Sequence, residues 1–425
     1  MAGIVSYGAY IPWYRMKRDT IYSAMGWLNN ARLKGEKAVA NEDEDSVTMA
    51  VAASRDCLGD LGRDKVDGLY FATTTAPYRD RQDGAIVATA LDLRQNVRAA
   101  DFADTAKSGT TGLLAACDAV ASGSVKNIML CAADCRPAKA GGNEEHIYGD
   151  AAAALLLGNE RVVASLEDSY SVSYDFMGHW RSEYDRFEHA SEERFNRDVG
   201  YVGFVTESIK GLLKKHKLEM KDISKVVYPG PYAREHANIS KKIGAEAAQL
   251  QNTMLDTVGD AGSAQPLLML VAALEEAKPE DLIVVASFGA GSDALLFKVT
   301  DEIKKQQGKS RFKAYLSSKK YLESYEKYVA FRNMLPVEIG VRGEEMFFTQ
   351  VTRLYRERRM ILGLVGTKCK KCGTPQYPAQ RVCVKPGCGA IDQMEDYHFS
   401  NKKGNVFTYT GDSLQFSMNP PAIYG

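Results

Sequence analysis

No stretch of this 425-residue sequence approaches the roughly 18 consecutive apolar residues that a membrane-spanning helix needs, so no membrane partner is expected. An excess of one charge is missing as well: 54 Lys and Arg face 54 Asp and Glu, and the formal net charge is zero. A general nucleic-acid binder carries a basic excess, which removes nucleic acid from the expected partners. The run Lys214-Lys215-His216-Lys217 reads as a solvated helix end. Residues Met1 to Tyr10 lack a basic region followed by an apolar run, so no secretory leader is expected and the expected location is the cytoplasm. Cysteine is sparse outside one place: four of the eight crowd into residues 369–388. In a large neutral chain this clustering points to metal binding in a reducing compartment, whereas a disulfide framework belongs to small secreted domains.

What is present is ordinary globular composition, 45% hydrophobic and 25% charged, with room for two or three domains. Up to about residue 300, β-branched apolar runs alternate with helical patterns. Ile4-Val5, Gly68-Leu69-Tyr70-Phe71, Ile128-Met129-Leu130 and Leu282-Ile283-Val284-Val285 read as buried strands. Segments 45–60, 108–122, 203–217 and 266–277 carry apolar residues at helical spacing. Such alternation implies a layered α/β fold. A faint repeat links 149–157 to 289–297, each copy a strand, a small-residue turn and a second apolar strand; it suggests a duplicated α/β unit. From about 301 the character changes. Residues 304–309 read as a linker, 311–334 as one surface helix ending before Pro336, a stretch near 346–360 as a basic helix, and 404–410 as an exposed strand.

Cys369-Lys370-Lys371-Cys372-Gly373 is a knuckle, followed by Cys383 and Cys388, the latter flanked by Gly387 and Gly389. Four soft thiolates in a tetrahedron suit zinc, and a closed four-thiolate site leaves no place for water, so the expected metal is structural. Cys369, Cys372, Cys383 and Cys388 are the expected ligands, with four reduced free thiols, or an iron site, as the alternatives.

Several stretches carry a family resemblance. Gly3-Ile4-Val5-Ser6-Tyr7-Gly8-Ala9-Tyr10-Ile11-Pro12, Asp175-Phe176 with Trp180-Arg181, Lys241-Lys242-Ile243-Gly244 and Ser287-Phe288-Gly289-Ala290-Gly291-Ser292 resemble landmarks of the 3-hydroxy-3-methylglutaryl-CoA synthases, within the thiolase superfamily. Residues 320–425 resemble the helix, zinc-ribbon and OB-fold module that accompanies acyl-CoA thiolases. The resemblance implies a duplicated thiolase-like fold (α-β-α-β-α layers) over residues 1–303, a linker and helices over 304–365, a zinc ribbon over 366–392 and the start of an OB-fold β-barrel over 393–425. It also implies a CoA thioester as substrate and, by analogy of fold, a homodimer.

The family's catalytic residues do not carry over. Its Cys lies in a pattern like A-C-K-A-G-T, matched here by Thr105-Ala106-Lys107-Ser108-Gly109-Thr110; its Glu in G-S-E-S-H-P-Y, matched by residues 72–78 with Thr74 in place of the acid; its His in F-H-Q-P, matched by Tyr228-Pro229-Gly230-Pro231. The family's Asn corresponds to Asp260 once a one-residue gap is allowed. A methyl group at Ala106 cannot form an acyl-thioester, and Cys117, Cys131 and Cys135 read as buried apolar residues.

An oxyanion hole survives such losses, because its donors are main-chain groups. Ala106 and the turn at Gly291-Ser292 are the expected donors. Candidates for acid–base work are Tyr228, Tyr232 and Asp260, with His236 behind them; each also has a structural reading, as packed aromatic, turn cap or helix residue. Thr74 and Ser108 can place hydrogen bonds but are poor bases. Arg234 stands where the family often has a CoA-contacting Lys, and Lys107 is a candidate for pairing with phosphate. The expected activity is retro-aldol cleavage of a β-hydroxyacyl-CoA, similar to the thiolase-like aldolases of steroid side-chain breakdown, which also work without cysteine. The alternatives are thiolase- or synthase-type acyl transfer with a displaced nucleophile, and a non-catalytic CoA-ester-binding or scaffold subunit attached to a partner enzyme.

Overall fold

The computed structural model describes residues 2–29, 32–338 and 349–425. The chain forms two compact units, Met1–Ala85 with Gln95–Met334, and Ile86–Arg94 with Leu335–Gly425.

The first unit is built on a nine-stranded mixed sheet. Its strands are β1 (Gly3–Tyr10), β2 (Gly68–Ala72), β3 (Arg98–Phe102), β4 (Ile128–Asp134), β5 (Ala151–Gly158), β6 (Ala164–Ser173), β7 (Lys225–Val227), β8 (Leu282–Ala286) and β9 (Gly291–Val299). The order across the sheet is β7-β8-β9-β6-β1-β5-β4-β2-β3. Two half-sheets of like topology meet where β1 and β6 pair through Gly3↔Ser165 and Ile4↔Ala164. The repeat read in the sequence is the antiparallel pair β4–β5 in one half and β8–β9 in the other.

Strand alternation sorts the side chains into layers, because successive residues point to opposite faces. Ile128, Leu130 and Ala132 of β4 share one core with Ile283 and Val285 of β8 and with helices α2 (Ser108–Ala121) and α5 (Gln265–Leu274). The intervening Val284 and Ala286 join a second core with α3 (Val205–His216) and α4 (Ala233–Ile243). Helix α1 (Ser46–Leu58) packs on β1, β5 and β4, where a side chain in place of Gly8 would meet the Cys57 nitrogen at 2.2 Å. All ten residues of α5 are buried, which marks it as a central helix and not a surface one. The start of α1 is fixed by a capping box between Asp45 and Thr48.

The stretch 311–334 is not one surface helix. It breaks into Phe312–Ser317, a short strand Lys320–Tyr321 that pairs with Tyr14 and Arg15, and Tyr325–Phe331. Its aromatic residues are anchors: Phe312, Tyr325 and Tyr328 are buried, and the Tyr325 hydroxyl donates to Glu145 at 2.9 Å. Arg332 pairs with Asp150 at 3.1 Å. The segment read as the start of a linker therefore belongs to the first unit. Nor is it free at 304–309, where Gln307 donates to the Leu274 and Ala277 carbonyls.

In the second unit, helix α6 (Val351–Gly363) precedes a three-stranded ribbon, with β10 (Val365–Cys369) between β11 (Pro375–Gln376) and β12 (Met394–His398). The first residues of the helix expected over 346–360 lie outside the described residues. Asp92 belongs to this unit and accepts from Arg359 at 2.6 Å. The strand expected over 404–410 is not formed. Val406 and Phe407, neighbours in sequence, are both exposed, and only Thr410 enters a strand, the hairpin Thr410–Asp412 with Ala422–Tyr424. Among the described residues no closed barrel is present.

Candidate active site and metal centre

Five loops at the carboxyl ends of β2, β3, β4, β7 and β8 surround a cavity of about 570 Å3 in the first unit. Pairings β2–β3, β2–β4 and β7–β8 are parallel, and ligands of α/β sheets collect at this end of parallel strands. The cavity is lined by Thr74, Ala106 and Pro229, the three positions matched to the family's Glu, Cys and His. Among the described residues no cysteine lines it. Cys117 and Cys131 are buried elsewhere, and burial pushes each thiol up to about 12; Cys135 too is raised well above the ordinary thiol value, by burial and then by Asp150. None is a ready nucleophile.

Asp134, at the end of β4, sets the geometry of two loops. One carboxylate oxygen accepts from the Thr73 hydroxyl (2.9 Å), the Thr74 N–H (2.7 Å) and the Thr75 hydroxyl (3.0 Å). The other accepts from the Ser263 N–H at 2.7 Å. Gly262 is required beside it: its φ is +55°, and a Cβ there would meet Asp134 Oδ2 at 2.4 Å.

The polar wall of the cavity is a cluster that sequence reading did not find. Arg136 donates to Glu188 at 2.8 Å and 3.1 Å and to the Tyr148 hydroxyl at 2.7 Å. Its other amino group lies 3.6 Å from Asp260. The Tyr148 hydroxyl donates to Glu188 at 2.8 Å and meets His179 Nδ1 at 3.3 Å, while Asn196 Nδ2 lies 2.7 Å from His179 Nε2. Burial, reinforced by Arg136, lowers His179 to about 4, so the ring is neutral at pH 7. Burial would raise Glu188, but the bidentate Arg136 outweighs it and holds the carboxyl below its usual range. Asp260 goes the other way: burial raises it against the pull of the more distant guanidinium face. The segment Asp175–Arg181, noted for its family likeness, was the one sequence signal near His179. Nothing local marked Arg136 or Glu188, which meet across 52 residues.

Of the expected site residues, Ala106, Tyr232 and Asp260 line this cavity. The Ala106 N–H has no hydrogen-bond partner among the described residues. Tyr228 lies outside the lining: it is fully buried, stacks on His236 and donates to the His236 carbonyl at 3.0 Å. Ser292 is also buried outside the lining, within β9, and its hydroxyl donates to Ser287 O at 2.6 Å. The glycine loop instead faces the cavity with Phe288, Gly289 and Ala290, and the Ala290 N–H is already given to the Thr105 hydroxyl at 3.0 Å. Lys107 is buried and pairs with Asp293 at 3.0 Å, tying the start of α2 to β9. It offers no free cation to phosphate. Arg234 is exposed on the first turn of α4, outside the lining.

In the second unit, the sulfurs of Cys369, Cys372, Cys383 and Cys388 all lie within 4.8 Å of one another. The pairs Cys369–Cys388 and Cys372–Cys383 stand 3.8 Å and 3.5 Å apart. A tetrahedron with zinc–sulfur bonds of ~2.3 Å has sulfurs ~3.8 Å apart, so the four thiols fit zinc. The turns that converge them use Gly373, Gly387 and Gly389, all at positive φ. Four thiolates close the coordination sphere, which makes the zinc a structural one.

Comparisons with known proteins place both units in families. The ChsH2 rubredoxin-like zinc ribbon family matches residues 357–392, and the 3-oxoacyl-[acyl-carrier-protein] synthase III C-terminal family matches residues 213–298. The hydroxymethylglutaryl-CoA synthase of Methanopyrus kandleri is 31% identical over 343 residues, 78% of this chain and 97% of its own. That of Methanosarcina barkeri is 34% identical over 313 residues, 71% of this chain and 89% of its own. Among solved structures, an HMG-CoA synthase complexed with CoA superposes with a TM-score of 0.71 at 17% identity, covering 82% of this chain and 94% of that one. The 3-oxoacyl-[acyl-carrier-protein] synthase III of Aquifex aeolicus gives 0.61 at 18% identity, covering 70% and 100%. The first unit is thus a thiolase-like α/β enzyme domain. Within that class the chain belongs to the hydroxymethylglutaryl-CoA synthase family, and it carries a zinc ribbon after the synthase-like domain.

Proposed function

We propose that this protein breaks a carbon–carbon bond beside an acyl-CoA thioester, by retro-aldol cleavage of a β-hydroxyacyl-CoA with no covalent acyl-enzyme. One observation carries the reading: the three positions matched to the family's triad meet in a single cavity that holds no thiol, while Asp260 and the Arg136 cluster line the same space. Asp260 takes the proton of the β-hydroxyl. The carbon–oxygen bond closes to a carbonyl as the Cα–Cβ bond breaks, and the bond pair passes into the thioester enolate. The unpartnered Ala106 N–H is the donor for the enolate oxygen; one such donor is worth about 3–4 kcal/mol. The proton returns to Cα, so a ketone or aldehyde and a shorter acyl-CoA leave, with no oxidant and no free CoA consumed. Arg136 steadies the Asp260 carboxylate while it is ionised.

A second reading draws on the named relatives, which are synthases: the same cavity running the bond-forming direction, or an acyl transfer through another nucleophile. Ser108 lies two residues after Ala106, and its hydroxyl oxygen is buried without a partner and outside the cavity lining. A third reading is a non-catalytic, CoA-ester-binding subunit joined to a partner enzyme. A homodimer is proposed by analogy of fold alone.

The test is a mass-spectrometric product screen of zinc-replete protein against β-hydroxyacyl- and β-ketoacyl-CoA esters, with and without free CoA. Cleavage of a β-hydroxy ester without added CoA supports the lyase reading. Cleavage of β-keto esters alone, dependent on CoA, establishes thiolysis in its place. Silence with tight ester binding favours the binding subunit.

A further inference from the structure

The charges along the cavity wall say what kind of acyl group it admits, given the reading of the cavity as an acyl-CoA site. Its buried cation is Arg136, and that guanidinium is already committed to two carboxylates, Glu188 at 2.8 Å and Asp260 at 3.6 Å. His179, next along the network, is neutral at pH 7. The other cations of the lining, Arg79 and Arg181, are exposed. Arg79 faces Glu183 at 3.5 Å, and Arg181 donates to the Thr74 carbonyl at 3.0 Å. With both carboxylates ionised the Arg136 cluster is net negative, and with Asp260 protonated the cluster is neutral, while Glu144 and Asp104 add further acidic groups to the lining. In neither state is there a spare buried positive charge. A carboxylate on the acyl chain would lose its hydration and face like charge, a juxtaposition that costs heavily in a water-poor site. One face of the lining is apolar and aromatic: the Phe176 and Phe288 rings stand 6.5 Å apart, and Tyr232 and Pro229 also line the cavity.

We infer that the cavity selects an uncharged acyl group, aromatic or branched alkyl, and rejects acyl chains ending in a carboxylate. This separates the chain from the activity its relatives' names describe, because a hydroxymethylglutaryl group ends in a carboxylate.

The experiment is calorimetric binding of three CoA esters that lack a β-hydroxyl and so cannot be cleaved by a retro-aldol step: glutaryl-CoA, the terminal amide of glutaryl-CoA, and 3-phenylpropanoyl-CoA. The first two differ by a single charge. At pH 7.5 the amide is expected to bind at least about 30-fold more tightly than the acid, and the phenyl ester more tightly than either. The Glu188→Gln and Asp260→Asn proteins are each expected to narrow the gap between acid and amide. Equal binding of acid and amide, tighter binding of the acid, or no binding of any of the three overturns the inference. Because nothing is turned over, the outcome is separate from that of the lyase reading. A protein that binds the phenyl ester yet cleaves no β-hydroxy ester keeps its selectivity and loses the proposed chemistry.

Discussion

Asp260 carries the heaviest chemical load proposed for a single side chain. Its Oδ1 accepts the Gly262 N–H at 3.0 Å, which orients the carboxylate, and its Oδ2 lies on the Arg136 side. Asn keeps the acceptor and the volume but cannot take a proton. Asp260→Asn is therefore expected to lower kcat/KM for a cleaved β-hydroxy ester by roughly 10²–10⁴-fold, with ester affinity held within about threefold. A base must be ionised to act, and burial raises this carboxyl. The acidic limb of the kcat/KM profile should thus lie above the ordinary Asp value of ~3.9, and it should vanish in the Asn protein. A limb that stays put in the variant would assign the base elsewhere, with Glu188 the next group to test. The methyl of Ala106 supports a second expectation. Ala106→Cys restores a thiol, but Thr74 and Pro229 offer it neither acid nor base. Intact-protein mass after incubation with an acyl-CoA should show no acyl adduct on the variant; a stoichiometric adduct would mean that the site retains hidden activation.

Elements show where sequence reading succeeds and where it stops. The central strands and helices were legible because one periodicity spans each of them: β4 up to Ala133 and the whole of β8 are unbroken apolar runs, and α2, α3 and α5 were found within a few residues of their ends. The zinc knuckles were legible because their ligands are local in sequence. The segment 311–334 was misread because its buried residues Phe312, Leu322, Tyr325, Tyr328, Val329 and Phe331 are interspersed with Lys, Ser and Glu, and the tyrosine hydroxyls find partners on distant elements, so composition resembled a solvated surface. The Arg136–Glu188 wall left no trace, since neither residue type signals burial and their pairing depends on the fold. Lys107 was offered to phosphate for the same reason: its partner, Asp293, lies 186 residues away. At this scale the ribbon gives a sharp test. One zinc per chain is expected by elemental analysis, and Cys388→Ser should lose it. With it should go the protection of the β10–β12 backbone amides from hydrogen exchange, because binding free energy at a site of this kind is folding free energy. Protection that survives in a zinc-free variant would show that the ribbon folds on its own hydrogen bonds.

For the molecule as a thermodynamic whole, three of its six histidines are held neutral inside the first unit. His146, His179 and His236 are each lowered by burial to about 4. His146 also feels Lys37 and Arg18, and His179 feels Arg136. In the unfolded chain each binds a proton near pH 6.5. Between about 4 and 6.5 the unfolded state therefore holds more protons, and stability falls as the pH falls. At pH 5 the loss is on the order of 1–2 kcal/mol per histidine relative to pH 7.5. Buried carboxyls act in the opposite sense. Burial raises Glu44, Asp56 and Glu145, so the folded state binds their protons more readily and gains on acidification. The net slope of stability against pH mixes both kinds of group, and a wild-type curve alone cannot separate them. A double difference can: urea unfolding of wild type and of the His146→Gln, His179→Gln, His236→Gln triple variant, each at pH 7.5 and pH 5. The carboxyl contribution is common to both proteins and cancels. The triple variant is expected to start less stable at pH 7.5 and to lose several kcal/mol less on acidification. Equal losses would mean that these rings are already solvated in the native protein, and the water-poor cavity wall on which both the proposed base and the proposed selectivity depend would have to be abandoned with them.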